Sequence, residues 1–504
     1  MADMMLSLLL FTPLVGAILA LFMAGEKSKY ARWVALIFSV IPLAISLVVL
    51  TSYDMVAGGT QFLEQYTWIE TAFLKMQYIL GVDGLSLIMV FLTSILVFLV
   101  VLFSWEEKER PNFFFALILG METGLLGVFM AADYFLFFIF WEVALIPMYF
   151  LINIWGGPRR HYAAIKFFIY THVASLIMLI GIFAMAFGAA SILGVSQLNF
   201  AFDTISGVGF SSTFQILVFG LLFFGFAVKM PMVPFHTWLP DAHVEAPTAG
   251  SVLLAGVMLK MGSYGLIRIC LDALPDGAVA WQIPMIIIAL VSIIYGALAC
   301  IAQRDLKKMV AFSSINHMGM VLLGVATLSD VGIAAGAFLM FAHGLITAVL
   351  FMVCGITGHN LGTRQIPLLG GLAAKMPNYA AFMMFGFMAS LGLPGLVGFV
   401  GEFTVLSSFY DWALAEGMVW LIILGLLSLL LTAGYYLWAM QRSIFGPLTD
   451  RIDTSKVNDV NIFEGISLAA LCGLIALFGI FPALAWDLIF PVASDIAAVL
   501  VGVI

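Results

Sequence analysis

Long hydrophobic runs separated by short polar loops dominate the chain. A helix needs about 20 apolar residues to cross a bilayer, and fourteen stretches meet that length. They lie at 3–23, 31–51, 79–104, 112–131, 133–153, 162–188, 213–236, 247–271, 281–302, 308–327, 331–358, 379–410, 417–441 and 464–486. At this length only helices satisfy the backbone hydrogen bonds in lipid. The pattern therefore predicts an all-α integral membrane protein with about 14 transmembrane helices.

Composition agrees with this interpretation. Of the 504 residues, 63% are hydrophobic and only 10% are charged, and the mean hydropathy is +1.15. No long polar linker divides the chain, so it predicts one polytopic domain over 1–504, with the lipid bilayer as its solvent. The four cysteines are scattered without metal-ligand spacing, and nothing indicates a nucleic-acid partner.

Lysine and arginine orient the predicted helices. If the first loop is cytoplasmic, fifteen basic residues fall on the cytoplasmic side and only Lys75 and Arg268 on the other. The fifteen are Lys27, Lys29, Arg32, Lys108, Arg110, Arg159, Arg160, Arg304, Lys307, Lys308, Arg364, Lys375, Arg442, Arg451 and Lys456. Since cytoplasmic loops carry the excess of Lys and Arg, this bias predicts that both termini lie outside.

Seven titratable residues fall near the middle of seven different predicted helices. Six of them lie between about 14 and 24 Å into their helices at 1.5 Å per residue. The set is Glu122, Glu142, Lys229, Lys260, His317, His343 and Glu402, whose helix is irregular. A charge at the bilayer centre costs about 3 kcal/mol. One ion pair or a hydrogen-bonded histidine could be structural, but the whole set favours a proton or ion pathway.

Two of the predicted helices are interrupted beside these residues. Pro231 and Pro234 follow Lys229, and Pro394 precedes Glu402. Proline removes an amide donor and kinks a helix, and free carbonyls at membrane depth require a polar cavity. Interruptions in spans 7 and 12 predict two inverted five-helix repeats, spans 4–8 and 9–13. The predicted divisions are 1–110 for spans 1–3, 111–271 for the first repeat, 280–443 for the second and 464–486 for the last span.

Three stretches together resemble a known family. They are VKMPMVPFHTWLPDAHVEAPTAGSVLLAGVMLKMGSYG, FWEVALIPMYFLI before it and LGLPGLVGFVGEF after it. They resemble the proton-pumping antiporter-like subunits of respiratory complex I, which are related to subunits of Mrp-type sodium/proton antiporters. Within the family, Glu402 favours the branch of subunit M, because the resemblance implies lysine at this position in subunits L and N.

The resemblance implies roles for the midplane residues. Glu142 is expected to pair with Lys229, and Lys260 to link an input half-channel to an output half-channel. His317 and His343 are expected to be relay residues, and Glu402 the last proton donor, whereas the role of Glu122 is less defined.

The resemblance also implies the setting of the chain. Residues 52–78 are expected to contact neighbouring subunits. The other membrane subunits, especially the L and N homologues, are the implied partners. NADH, FMN, iron–sulfur clusters and quinone are implied in partner subunits, with no cofactor in this chain. The implied location is the bacterial inner membrane rather than the mitochondrial one.

Other interpretations of the sequence remain open. The chain could belong to an Mrp-type cation/proton antiporter or to a membrane-bound hydrogenase. In another class, His172, His317 or His343 could ligate a haem. His236 and His243 lie near acidic residues, but loop hydrogen bonding or a proton funnel is favoured over a metal site.

Overall fold

The computed structural model describes residues 4–451 and 457–502. Within them the chain forms a helical bundle with one small sheet. The helices are α1 (Met5–Phe22), α2 (Ala31–Ser52), α3 (Gly84–Phe103), α4 (Pro111–Met130), α5 (Tyr134–Trp155), α6 (Arg160–Leu193), α7 (Phe202–Ser206), α8 (Ser212–Lys229), α9 (Trp238–Glu245), α10 (Thr248–Leu271), α11 (Pro275–Ile301), α12 (Leu306–Ala326), α13 (Asp330–Leu361), α14 (Pro377–Ser390), α15 (Val397–Ala415), α16 (Leu421–Ser443), α17 (Ile462–Ile480) and α18 (Ala483–Val501). The predicted fold class, a helical membrane bundle, is confirmed.

A sheet of three strands covers one face of the bundle. β1 (Gln61–Glu70) and β2 (Leu74–Val82) form an antiparallel hairpin, and β3 (Leu198–Asn199) pairs in parallel with β2. Single bridges join Leu80 to Ala131 and Asp133 to Ala201. The connections after α2, α4 and α6 therefore meet on this side of the bundle, which we call the hairpin face.

The start of the third predicted span is wrong. It was placed at residue 79, but residues 79–82 belong to β2 and α3 begins at Gly84. The Asp83 side chain accepts a hydrogen bond of 2.8 Å from the backbone amide of Ser86 and caps the helix. A continuous apolar run does not distinguish a strand from a helix, so the hairpin end and α3 were merged.

The basic loops meet on the opposite side. The amide of Gly157 donates to the carbonyl of Glu245 at 2.9 Å, Arg364 reaches the carbonyl of Val244 at 3.4 Å, and Asp305 bridges to Gln365. We call this the basic face. Lys456, one of the fifteen predicted cytoplasmic residues, lies outside the described residues.

Both predicted helix interruptions are present. α8 ends at Lys229, seven residues before the predicted end of its span, and the short α9 follows after the prolines. The twelfth predicted span, 379–410, consists of α14 and α15, separated at 391–396. In that gap Gly392 and Gly395 have φ angles of +79° and +91°, a region that other residues enter at a cost.

The last predicted span, 464–486, extends too far, and the helix after it was missed. α17 ends at Ile480 and α18 begins at Ala483. The Trp486 ring lies 6.2 Å from that of Phe338, near the start of α13, and Leu488 packs against Gly84 at the start of α3. α18 therefore lies across the hairpin face.

Fourteen helices of the described ranges are long and apolar enough to cross a membrane, as predicted. This set differs from the predicted one because it contains α18 and leaves out α14 and α15. α18 has the length and apolarity of a membrane span although it packs across helix ends. α14 and α15 do not reach that length and apolarity individually, although together they match the predicted twelfth span.

Candidate functional site

Four of the predicted titratable residues form a line through the bundle. Lys260 Nζ lies 2.8 Å from His343 Nδ1. The rings of His343 and His317 are 5.5 Å apart between centroids, and His317 Nδ1 lies 3.1 Å from Glu402 Oε1. All four residues are buried. Four helices, α10, α12, α13 and α15, thus place a row of four titratable groups in the core.

The local shape of α10 places Lys260 in this row. π-helical turns at Leu254–Met258 and Leu266–Leu271 flank it. Such turns are common at functional sites and disturb the regular hydrogen bonds. The ammonium of Lys260 also donates to the carbonyl of Ala255, in the first of these turns.

Two glycines bring α10 and α13 together beside the Lys260–His343 contact. A Cβ on Gly344 would lie 2.8 Å from the carbonyl oxygen of Gly256, so the backbones touch at that point. Gly344 directly follows His343 in α13, and Gly256 lies one turn before Lys260 in α10. Glycine is needed here because any side chain would separate the two helices.

His317 is held at both ring nitrogens. Besides Glu402 at Nδ1, its Nε2 lies 3.1 Å from Ser390 Oγ, which donates to the hydroxyl of Tyr436 at 2.7 Å. Both ring nitrogens of His317 therefore have side-chain partners within the bundle.

Glu402 lies next to the break between α14 and α15. Its Oε1 contacts His317, whereas its Oε2 is buried without a hydrogen-bond partner. A Cβ at Gly392 would lie 2.7 Å from Oε2. The break thus leaves space beside one oxygen of the carboxylate.

The side chains of the other predicted pair, Glu142 and Lys229, make no hydrogen bond with each other. Glu142 Oε2 lies 2.7 Å from His172 Nδ1, and its other oxygen accepts from Ser175. Lys229 Nζ is buried without a hydrogen-bond partner and lies 5.4 Å from the centroid of the Trp141 ring. Glu142 and Lys229 form no hydrogen bond in this structure, because His172 and Ser175 hold the carboxylate, and their pairing stays a prediction.

Glu122 stands apart from both groups. It is fully buried in α4, and neither of its carboxylate oxygens has a hydrogen-bond partner. Its lower-ranked place in the relay stays a prediction.

Sequence reasoning missed several groups that contact the predicted residues. Ser175 and Tyr436 were not considered, and His172 was considered only as a haem ligand. Lys307 was counted as a loop cation, but it is buried and its ammonium donates to the carbonyl of Ala246 at 2.5 Å. The depth estimate that found Glu142 could have found His172, which lies mid-helix in α6.

The histidines of the interrupted region are buried aromatic contacts. His236 lies 4.8 Å from Tyr295 between ring centroids, and His243 stacks on Phe351 at 4.5 Å. No metal-type cluster of three or more ligands occurs in the described part of the chain. In the same region Lys166 pairs with Asp241 at 2.8 Å.

The chain is similar to a known family and to several known proteins. Residues 131–432 match the family model described as NADH:quinone oxidoreductase/Mrp antiporter, TM. The chain is 41% identical over 502 residues to F(420)H(2) dehydrogenase subunit M of Methanosarcina mazei, with 98% of both chains covered. It is 39% identical to NADH-quinone oxidoreductase subunit M of Rhodobacter capsulatus, over 97% of this chain and 95% of that one.

Solved structures show the same fold. A chain of respiratory complex I from Thermus thermophilus matches with a TM-score of 0.87 and 30% identity, over 98% of this chain and 99% of that one. A chain of the Mrp complex from Dietzia sp. matches with a TM-score of 0.82 at 20% identity, over 98% and 99% of the two chains. The second likeness concerns the fold alone.

Proposed function

Because the chain belongs to the family of NADH:quinone oxidoreductase and Mrp antiporter transmembrane subunits, we propose that it moves protons through a buried Glu/Lys/His relay. It does so as a membrane-arm subunit of a respiratory oxidoreductase. The observation that carries the proposal is the row from Lys260 through His343 and His317 to Glu402, with neighbouring groups at 2.8 Å, 5.5 Å between rings, and 3.1 Å. A structural clamp needs two opposite charges, whereas this row holds four titratable groups.

Each member of the row can carry a proton. An ammonium donates, an imidazole accepts at one nitrogen and donates from the other, and a carboxylate accepts. The two imidazoles are 5.5 Å apart between centroids, and Ser390 and Glu402 occupy both nitrogens of His317. Transfer between the histidines therefore requires the His317–Ser390 contact to open, with a ring rotation or a bridging water. A proton leaving Lys260 then reaches Glu402 through His343 and His317.

In this scheme the residues of the first half of the chain supply protons to Lys260. Lys229, at the end of α8, is buried without a partner, which favours its neutral form. When Glu142 turns from His172 toward Lys229, the carboxylate charge raises the proton affinity of the lysine. When Glu142 returns to His172 and Ser175, the lysine releases its proton. A carboxylate with two alternative partners is a switch, and the redox reaction of partner subunits drives it.

We assign the basic face to the cytoplasm from the excess of Lys and Arg, so protons move from the basic face to the hairpin face. The membrane subunits of the complex, L and N homologues among them, are the proposed partners. NADH, FMN, iron–sulfur clusters and quinone belong to partner subunits in this proposal, because the relay groups themselves carry protons rather than electrons.

A second candidate concerns the electron donor. The relative with 41% identity is named an F(420)H(2) dehydrogenase subunit, against 39% for the NADH-quinone oxidoreductase subunit. The second candidate is therefore a complex that oxidises F(420)H(2) with the same proton pathway. Assaying the purified complex with each donor separates the two candidates. A third, an Mrp-type antiporter subunit, predicts cation-driven proton exchange without any redox donor.

Proton translocation by the assembled complex tests the relay. Lys260→Met keeps the length and the apolar stem of the side chain but removes the group that donates to His343. We expect the rate of proton uptake into inverted membrane vesicles to fall by about 100-fold or more, the scale of losing one positioned proton-transfer group. Lys375→Met, at an exposed position of the basic face, is the matched control. Wild-type uptake by a well-assembled Lys260→Met complex would contradict the proposal.

A further inference from the structure

Two hydroxyl groups hold His317 at the ring nitrogen that Glu402 does not contact. Ser390, the last residue of α14, has its Oγ 3.1 Å from His317 Nε2. The same Oγ donates to the hydroxyl oxygen of Tyr436, in α16, at 2.7 Å. All of these side chains are buried. Three helices, α12, α14 and α16, thus meet at a hydrogen-bonded chain that ends on a histidine of the row.

The number of available donors determines where the protons of this chain lie. A serine hydroxyl has one proton and donates one hydrogen bond. Because Ser390 donates to Tyr436, it must accept the hydrogen bond from His317 Nε2, and Nε2 therefore carries a proton. A neutral imidazole has one protonated nitrogen, so Nδ1 of the neutral ring is an acceptor.

The same count requires a proton between His317 and Glu402. Nδ1 of the neutral ring and an ionised carboxylate are both acceptors, and they would repel each other at the observed 3.1 Å. One proton therefore holds this contact, on Glu402 Oε1 or on Nδ1. The hydroxyl chain on one side of the ring thus determines that the other side is loaded with a proton.

A buried pair of hydroxyl groups does not by itself indicate a function, because buried polar groups in general find hydrogen-bond partners. Thr357 and Tyr379 form such a pair at 2.7 Å, also buried. The difference lies in what the pair contacts. Ser390 bonds to a histidine whose other nitrogen faces a carboxylate, whereas the second hydrogen bond of Thr357 goes to the backbone carbonyl of Val353.

We propose that Ser390 and Tyr436 are positioning residues of the relay and form a hydroxyl latch that sets the tautomer of His317. While the latch is closed, Nε2 keeps its proton and the ring stays turned toward Glu402. The proton between Nδ1 and Glu402 then leaves through Glu402 and does not return to His343. This inference rests on the proposed function, because it assigns a direction to that relay.

Reloading requires the latch to open. Once Glu402 has released its proton, Nδ1 of His317 is bare. Opening of the Ser390 contact lets the ring turn, so that His343 gives up a proton and Nδ1 accepts it. Closing the latch returns the loaded Nδ1 to Glu402. Loading of His317 and release by Glu402 are thereby separate steps.

Tyr436→Phe is the main test, because it removes only the hydroxyl oxygen. The ring lies 4.9 Å from that of Phe387 and 4.4 Å from that of Tyr435 between centroids, and phenylalanine keeps both contacts. Without its acceptor, Ser390 turns its proton to Nε2 and selects the opposite tautomer. We expect proton uptake into inverted vesicles to fall about tenfold or more, since a wrong histidine tautomer costs up to about 10⁴-fold in serine proteases.

Variants of Ser390 separate hydrogen bonding from packing. Ser390→Ala should lose as much uptake as Tyr436→Phe. Ser390→Cys keeps a weak donor of similar size and should regain part of the rate. The double variant should be no slower than the slower single variant, because the two hydroxyls act as one unit. If Ser390→Cys is no faster than Ser390→Ala, or if the two losses simply add, the latch is wrong.

Tyr379→Phe is the matched control. It removes a buried tyrosine hydroxyl with a hydrogen bond of the same 2.7 Å length, to Thr357 instead of Ser390. It should take up protons as wild type does. Wild-type uptake by an assembled Tyr436→Phe complex, or equal losses in Tyr436→Phe and Tyr379→Phe, would overturn the proposal.

Lys260→Met in the same preparations separates this inference from the proposed function. If Lys260→Met stops uptake while Tyr436→Phe behaves as wild type, the relay stands and the latch is wrong. If an assembled Lys260→Met complex takes up protons at the wild-type rate, the relay itself is wrong, and the latch falls with it.

Discussion

Replacing Gly344 by alanine should disturb the Lys260–His343 contact without touching either residue. The new Cβ would lie 2.7 Å from Leu92 Cδ2 and 2.8 Å from the carbonyl oxygen of Gly256. The leucine end can rotate away, but the backbone oxygen cannot. Reaching an ordinary contact of 3.4 Å requires α10 and α13 to separate by about 0.6 Å.

This separation is large on the scale of a hydrogen bond. If the helices move as rigid bodies, the Lys260 Nζ to His343 Nδ1 distance grows from 2.8 Å to about 3.4 Å, beyond the usual limit of about 3.2 Å. A misplacement of about 1 Å can cost about 100-fold in rate, so we expect roughly tenfold slower proton transfer. Overpacking should also cost about 1–3 kcal/mol of stability.

The assay is the initial rate of acidification of inverted membrane vesicles, with donor oxidation and complex assembly measured in parallel. Gly434→Ala is the matched control, since a Cβ at Gly434 in α16 meets no atom within 4 Å. Wild-type acidification by an assembled Gly344→Ala complex would refute the reasoning, because it would show that the Lys260–His343 distance does not limit the proton path.

Three further outcomes are expected. Lys229→Ala should stop proton uptake while leaving the complex assembled, because Lys229 Nζ makes no hydrogen bond that holds the fold; loss of assembly would instead indicate a structural lysine. Glu142→Gln should reduce proton uptake more than Glu142→Asp, because only the aspartate keeps the charge that alternates between His172 and Lys229. Equal rates of proton uptake into vesicles for the two variants would contradict the switch. Burial raises the pKa of Asp133, beside the hairpin, to about 6 from 3.8. Its ionisation therefore weakens the fold as the pH rises from about 4 to 6. Asp133→Asn keeps an oxygen for the helix cap, and it should raise the melting temperature of the purified complex at pH 7 but not at pH 4.

The breaks, the spans and the depth of the titratable groups were predictable because each has a local cause. Pro231, Pro234 and Pro394 remove amide donors where they stand. Single prolines at 13, 42, 147 and 284 lie inside unbroken helices, so the local signal is a pair of prolines or a proline between glycines. Hydropathy and length set the spans, and counting residues from a helix start sets depth. These quantities need no knowledge of which helices pack together.

Contacts between helices were harder to predict. The Glu142 partner depends on how α5 and α6 rotate against each other, and the helical period leaves that rotation open. The carboxylate therefore meets His172 and Ser175 instead of Lys229. The sequence does not predict the tight Gly256–Gly344 contact either, since most of the 47 glycines in the chain have no such neighbour.

The hairpin and α18 were missed for a different reason. Their apolar runs are continuous in composition with the adjoining spans, so hydropathy merged β2 into α3 and the start of α18 into α17. Local signals did mark both boundaries. Asp83 is the helix cap before Gly84, and Pro482 separates α17 from α18.

Substitution of Glu402 is the most direct test of a proton path that ends beside the break between α14 and α15. Glu402→Gln keeps the shape and one acceptor for His317 but cannot release a proton, whereas Glu402→Lys restores a titratable group. Proton translocation by assembled complexes in membrane vesicles should fall sharply in Glu402→Gln and be partly retained in Glu402→Lys. Wild-type translocation by Glu402→Gln together with an inactive Glu402→Lys would show that Glu402 is a packing residue, and the relay would be wrong.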